Sequence, residues 1–153
     1  MARIRAILLR AAGTNCDLET QYAWECAGAI AERVHIRQLI AQPRKLLDYQ
    51  VLTIPGGFSY GDDIAAGRIF AAQIRRHLSE VLQEFVERGR LVLGICNGFQ
   101  VLVTAGFLPF PGPNGRRVCT IAPNDPPGFQ DRWVTLRATS DRCVFLEHNR
   151  EYQ

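Results

Sequence analysis

Lysine is almost missing from this chain: Lys45 is the only one among 18 basic residues in a sequence of 153. The arginines that replace it form no run longer than two, neither end carries a charged tail, and the net charge is only +3. That pattern describes solvated faces and ion pairs, and it argues against a nucleic-acid partner. Long apolar runs are missing too. The apolar stretch near the start, Ala6–Leu9, is broken by Arg10, well short of the roughly 7–15 residues of a secretory core or the roughly 20 of a membrane span. Cysteine is present but unpatterned. Cys16, Cys26, Cys96, Cys119 and Cys143 are odd in number and contain no C-x-x-C, so neither a disulfide framework nor a zinc ligand set is signalled. The expectation is a cytoplasmic protein with no membrane partner and no metal.

What remains is ordinary globular material, 47% hydrophobic and 22% charged. A chain of this length buries roughly two-thirds of its extended surface, so a single domain over 1–153 is expected. Ile4 to Leu9 reads as a buried strand. Asp17 is placed to cap a helix whose apolar positions are Tyr22, Cys26, Ala27 and Ile30. Val34 to Leu39 alternates as a second strand, and Val51 to Ile54 forms a third. Phe70, Ile74, Leu78, Val81, Leu82 and Phe85 make one helical stripe ending at Gly89, and Leu91 to Ile95 is a fourth strand. Beyond Gly106, six of the eight prolines fall between Pro109 and Pro127. With Trp133 to Arg137 as a strand, that region suggests a hairpin-like excursion at the sheet edge. Strands alternating with helices predict an α/β fold, a mostly parallel sheet flanked by helices, with ligands at the carboxyl ends of the strands.

The most informative stretch is Leu91-Val-Leu-Gly-Ile-Cys-Asn-Gly-Phe-Gln100. Strand, Gly-x-Cys-x-Gly, helix is the cysteine form of a nucleophile elbow. Cys96 would stand on a sharp, strained turn at a helix N-terminus, a place that favours negative charge, and side chains at Gly94 and Gly98 would collide with neighbouring backbone. The amide of Asn97 would face a developing oxyanion. Pro55-Gly56-Gly57 after the third strand would offer a second amide, that of Gly57. The plainer alternative is that Cys96 is a small buried hydrophobe between two tight-packing glycines, and that Pro-Gly-Gly is a simple turn.

Gly13-Thr-Asn-Cys-Asp17, Ile54-Pro-Gly-Gly-Phe-Ser-Tyr-Gly-Asp62 and Gly94-Ile-Cys-Asn-Gly-Phe-Gln100 together resemble the class I (triad-type) glutamine amidotransferases. Within that class they resemble the glutaminase subunits of phosphoribosylformylglycinamidine synthase, a family of purine biosynthesis. The likeness runs from about Ile4 to Leu146. It implies a flavodoxin-like fold in which Cys96 attacks the side-chain amide of glutamine and the amides of Gly57 and Asn97 hold the oxyanion. Phe58 and Gln100 match positions lining the glutamine site. It also implies partners: a large synthetase subunit that uses ATP and magnesium to make formylglycinamidine ribonucleotide, and a small accessory subunit, with no cofactor in the glutaminase subunit itself. Asp62 and Asp63 either touch the partner of their own loop or cap a helix beginning near Ile64.

One part of the family pattern is absent. Thioester formation from an amide needs a proton for the departing ammonia, supplied in this family by a late His-x-Glu. The three histidines here read His35-Ile-Arg, His77-Leu-Ser and His148-Asn-Arg. His35 and His77 are expected to be structural or solvated, and His148 with Glu151 to belong to a surface tail, so the domain is expected to be incomplete. Two other readings stay open: a non-catalytic remnant that binds the synthetase, and a cysteine-elbow hydrolase or redox protein on a similar fold.

Overall fold

A computed structural model describes residues 3–110 and 116–153. Contacts divide the chain into two compact units, residues 1–121 and 122–153, which are taken separately.

The first unit is built on a four-stranded parallel sheet in the order β2-β1-β3-β4. Its strands are β1 (Arg5–Arg10), β2 (Ile30–His35), β3 (Val51–Ile54) and β4 (Leu91–Gly94). Because side chains alternate along a strand, β1 sends Ile7 and Leu9 to one face and Ala6 and Leu8 to the other. The first face carries the main core. There α3 (Arg68–His77), α4 (Ser79–Glu87) and α5 (Asn97–Ala105) bring in Phe70, Ile74, Val81, Phe85, Val101 and Leu102. The second face is covered by Trp24 of α1 (Asp17–Cys26), which packs against Ala6, Leu8 and Val51. Its indole N–H donates to Thr53 Oγ1 at 3.0 Å. Continuous apolar strands and helices on both faces are the α/β sandwich expected from the sequence.

Several elements differ from expectation for physical reasons. The second strand is Ile30–His35, four residues earlier than the expected Val34–Leu39, and Ile36–Ala41 is helix α2. A reciprocal cap starts that helix: His35 Nδ1 accepts from the Arg37 N–H, while Gln38 Oε1 accepts from the His35 N–H. Asp17 is not a cap. It is the first residue of α1, only 5% exposed, and pairs with Arg10 at 3.2 Å and Arg33 at 3.3 Å. Two guanidinium partners outcompete a neutral backbone N–H for one carboxylate. The buried face of α1 runs through Asp17, Thr20 and Trp24, so Tyr22 is 70% exposed and Cys26 is exposed as well. The long stripe from Phe70 to Phe85 is buried as expected, but two helices share it, with a break at Leu78 (φ −125°, ψ 0°).

In the second unit, β5 (Leu136–Arg137) pairs antiparallel with β6 (Glu151–Tyr152). Arg137 Nε donates to Glu151 Oε1 at 3.2 Å, and the Arg150 guanidinium lies over the Tyr152 ring, 5.3 Å from its centroid. The strand expected over Trp133–Arg137 is thus confined to its last two residues, and residues 116–135 contain no strand. Residues 111–115 of the proline-rich stretch lie outside the described residues. No helix among the described residues is long and apolar enough to cross a membrane.

Candidate functional site

Three loops meet at the carboxyl ends of β1, β3 and β4. The loop after β1 and the loop after β3 bridge at Thr14 and Gly57. The Phe58 N–H donates to Gly13 O at 2.9 Å, the Tyr60 N–H to Ala12 O at 2.7 Å, and the Cys16 N–H to Gly56 O at 3.3 Å. A Cβ at Gly57 would lie 2.5 Å from Asn15 Oδ1 and 2.7 Å from the Asn15 nitrogen. Only glycine allows the two loops to come this close.

The elbow follows β4. Cys96 has φ 51° and ψ −110°, a conformation that costs a non-glycine residue about 1–3 kcal/mol and persists only where its surroundings hold it. They do so here. The Ile95 N–H donates to Ile54 O at 3.1 Å, and the Gly98 N–H donates to Ile95 O at 2.8 Å. A Cβ at Gly98 would fall 1.9 Å from Ile54 O, and one at Gly94 would fall 2.8 Å from Gly98 O. The glycines two positions either side of the cysteine are therefore steric requirements of the turn. Cys96 is exposed, which excludes the reading of a buried hydrophobe. It stands at the N-terminus of α5 beside the loop after β3, because a Cβ at Gly56 would lie 3.5 Å from Cys96 Cβ.

Among the described residues, no acceptor pairs with the backbone N–H of Gly57 or of Asn97. For Asn97 this follows from its place in the first turn of α5. For Gly57 it follows from its place in the bridge, where the neighbouring Phe58 N–H makes the inter-loop bond. The exposed thiol is thus flanked by two segments that each carry an unpaired backbone N–H.

Phe58 is 64% exposed at this end of the sheet. Gln100 is half-buried one turn into α5, and its Oε1 accepts from Asn97 Nδ2 at 3.2 Å. Asp62 Oδ1 accepts from Asn97 Nδ2 at 3.2 Å and from the N–H of Gly67, the residue before α3, at 3.1 Å, but the expected cap is not formed, since α3 has no side-chain cap. That helix begins at Arg68 rather than near Ile64. Ser59 escaped the sequence reading. It is 2% exposed, and both its N–H and its hydroxyl donate to Asn97 Oδ1, at 3.2 and 2.6 Å. Its partner is 38 residues away, and no local pattern encodes such a contact.

No histidine of the first unit stands at the elbow. His35 ends β2, at the opposite edge of the sheet from β4, about 14 Å away across three strand spacings. Its imidazole is held below the ordinary value by burial and then by the charges of Arg10 and Arg37. His77 is the last residue of α3 and lines a cleft with Arg44, Glu80 and Glu84. His148 is exposed in the second unit, where Glu151 is committed to Arg137. Among the described residues no three His, Cys, Asp or Glu side chains gather as a metal set.

Comparison with known proteins gives this arrangement a lineage. The chain is 45% identical over 148 residues to the phosphoribosylformylglycinamidine synthase subunit PurQ of Dehalococcoides mccartyi, covering 96% of this chain and 58% of that protein. It is 40% identical over 144 residues to the subunit of the same name from Methanococcus maripaludis, covering 94% and 54%. A structure of PurLQS from Thermotoga maritima superposes with a TM-score of 0.75 at 28% identity, over 99% of this chain and 64% of that one. The chain therefore spans little more than half the length of the curated relatives it matches. The family model for the CobB/CobQ-like glutamine amidotransferase domain matches residues 3–153. With an elbow, a glycine loop and a parallel sheet in the places such a domain requires, the chain belongs to the CobB/CobQ-like glutamine amidotransferase family.

Proposed function

We propose that this chain carries the nucleophilic part of a glutaminase that releases ammonia for a synthetase making formylglycinamidine ribonucleotide. The observation that carries the reading is the strained, exposed Cys96 at φ 51° beside the free N–H groups of Gly57 and Asn97. Cys96 Sγ attacks the carboxamide carbon of glutamine. The carbonyl electron pair moves to oxygen and is held by the two N–H donors. As the proton given up by the thiol passes to the leaving nitrogen, collapse breaks the C–N bond, expels ammonia and leaves a γ-glutamyl thioester, which water cleaves to glutamate and the free thiol. Phe58 and Gln100 lie where they can bound the substrate, Phe58 by its exposed ring and Gln100 through an amide oriented by Asn97.

The proton for the departing ammonia has no donor at the elbow among the described residues of the first unit, because His35 and His77 lie elsewhere. The isolated chain is therefore expected to turn over glutamine near background. The names of the relatives support further subunits of a synthase complex as partners; that the synthetase subunit uses ATP and magnesium is carried by the family resemblance alone. Binding tests the substrate assignment without requiring turnover. Chain carrying Cys96→Ala should bind glutamine in preference to glutamate and asparagine by calorimetry, and Gln100→Ala should weaken it by about tenfold. Equal affinity for all three amino acids, or none for glutamine, would overturn the assignment.

A further inference from the structure

We propose that the side chain of Asn97 is a positioning residue that fixes the separation of the two oxyanion donors, the N–H of Gly57 and its own backbone N–H. The inference rests on the reading of Cys96 as nucleophile and concerns what holds the hole in shape. The Asn97 amide is 2% exposed and makes four hydrogen bonds. Oδ1 accepts from the Ser59 N–H at 3.2 Å and the Ser59 hydroxyl at 2.6 Å, and Nδ2 donates to Asp62 Oδ1 and to Gln100 Oε1, each at 3.2 Å. A backbone N–H can only donate and a carboxylate can only accept, so these partners fix which way the amide faces. With every donor and acceptor used, the buried network has one arrangement.

The network joins two segments that otherwise have no polar tie. Between Gly57 and Asp62 the loop is bonded to the loop after β1, through Ala12 O and Gly13 O. Among the described residues, its only hydrogen bonds to the elbow run through the Asn97 side chain. That loop is itself strained, with left-handed φ at Tyr60 (56°), Gly61 (66°) and Asp62 (53°), so it needs outside contacts to keep its shape. Asn97 supplies those on the elbow side, from the residue that also presents one of the two donors. Displacing Ser59 would displace Gly57, two residues earlier, relative to the elbow. A displacement of about 1 Å at a reacting centre can cost about a hundredfold in rate.

A ratio of two reactions at one sulfur isolates this effect. Acylation of Cys96 by 4-nitrophenyl acetate passes through a tetrahedral oxyanion before nitrophenolate leaves and a thioester remains, the thiol proton passing to the buffer. Alkylation by iodoacetamide displaces iodide, also with loss of the thiol proton, and forms no oxyanion. Both rates are read on the Cys96 peptide by mass spectrometry. Asn97→Ala keeps the backbone N–H at position 97 and removes only the tie; Ser59→Ala weakens the tie while leaving Asn97 intact. The acylation-to-alkylation ratio should fall by about tenfold in Asn97→Ala and by about threefold in Ser59→Ala. An unchanged ratio in Ser59→Ala, or equal losses of both reactions, would overturn the positioning role even if Asn97→Ala fails to fold. Unmodified chain acylated no faster at Cys96 than at Cys26 would instead overturn the nucleophile reading beneath it.

Discussion

The two ends of the parallel sheet solve opposite problems. At the amino end the backbone is relaxed and side chains do the joining. Arg5 and Gln50 exchange bonds across β1 and β3, through the Arg5 N–H to Gln50 Oε1 and the Gln50 N–H to Arg5 O, both at 2.9 Å. Nearby, Glu32 accepts from Lys45 at 2.7 Å and from the Tyr49 hydroxyl, while the Arg5 guanidinium lies 4.7 Å from the centre of the Tyr49 ring. At the carboxyl end the backbone is strained and glycines are frequent. All three described non-glycine residues of the first unit with left-handed φ, Tyr60, Asp62 and Cys96, lie there, and glycines let the loops approach. The amino end spends polar side chains on cohesion. The carboxyl end leaves a thiol and two N–H groups uncommitted, and one buried side chain, Asn97, restrains the strain.

The largest effect should come from the elbow's steric requirement. Gly98→Ala places a methyl group 1.9 Å from Ile54 O at the carboxyl end of β3. A loss of at least about 3 kcal/mol or failure to fold is expected by denaturant titration. A stability change under about 1 kcal/mol would break the comparison. Cys96→Gly should act in the opposite direction. Relieving the left-handed conformation should offset more than the added backbone freedom, for a gain of about 1 kcal/mol in melting experiments. A loss of stability would mean that the turn stores no strain at Cys96.

The smallest effect is expected at the amino end. Glu32 is partly exposed, so solvent screens its ion pairs, and Glu32→Gln should cost about 1 kcal/mol without changing the reactivity of Cys96. Hydrogen bonds from Lys45 and then Tyr49 hold the Glu32 carboxyl below the ordinary carboxylate range. Its folded pKa is thus lower than its unfolded one, and the folded state binds fewer protons between the two. The cluster's contribution is full above the unfolded value and is lost as pH falls through the folded value. Stability curves of the parent and Glu32→Gln chains should therefore converge in acid. A gap that persists at the lowest pH would assign the effect to packing instead.

The same division explains what could be read from the sequence. Apolar strands and the Gly-x-Cys-x-Gly turn are local signals, and they placed β1, β3, β4, the elbow and the stripe through α3 and α4. The face of α1 was misplaced because its buried residues include Asp17 and Thr20, one held by two arginines and the other donating its hydroxyl to Cys16 O at 2.5 Å. Apolar periodicity cannot register a polar residue buried by its partners. The start of α2 was missed because a histidine and a glutamine cap it in place of the usual small polar residue. At the site, Cys96, Gly57 and the Asn97 amide follow from backbone rules. The tie from Asn97 to Ser59 and Asp62 depends on how two distant loops meet. The Gly-Gly-Phe-Ser-Tyr-Gly-Asp loop and the Asn after the cysteine read as two separate marks in the sequence, and in the structure they form one network.

All five cysteines, Cys16, Cys26, Cys96, Cys119 and Cys143, are exposed, so exposure alone cannot rank their reactivity. The direct test of the account is a competition: one equivalent of an electrophilic diazoketone analogue of glutamine, followed by peptide mapping of the labelled chain. Cys96 should carry most of the label, and excess glutamine should protect it. Label spread evenly over the five thiols, or concentrated on Cys16 or Cys119, would contradict the claim that the strained carboxyl end is where this protein does its chemistry.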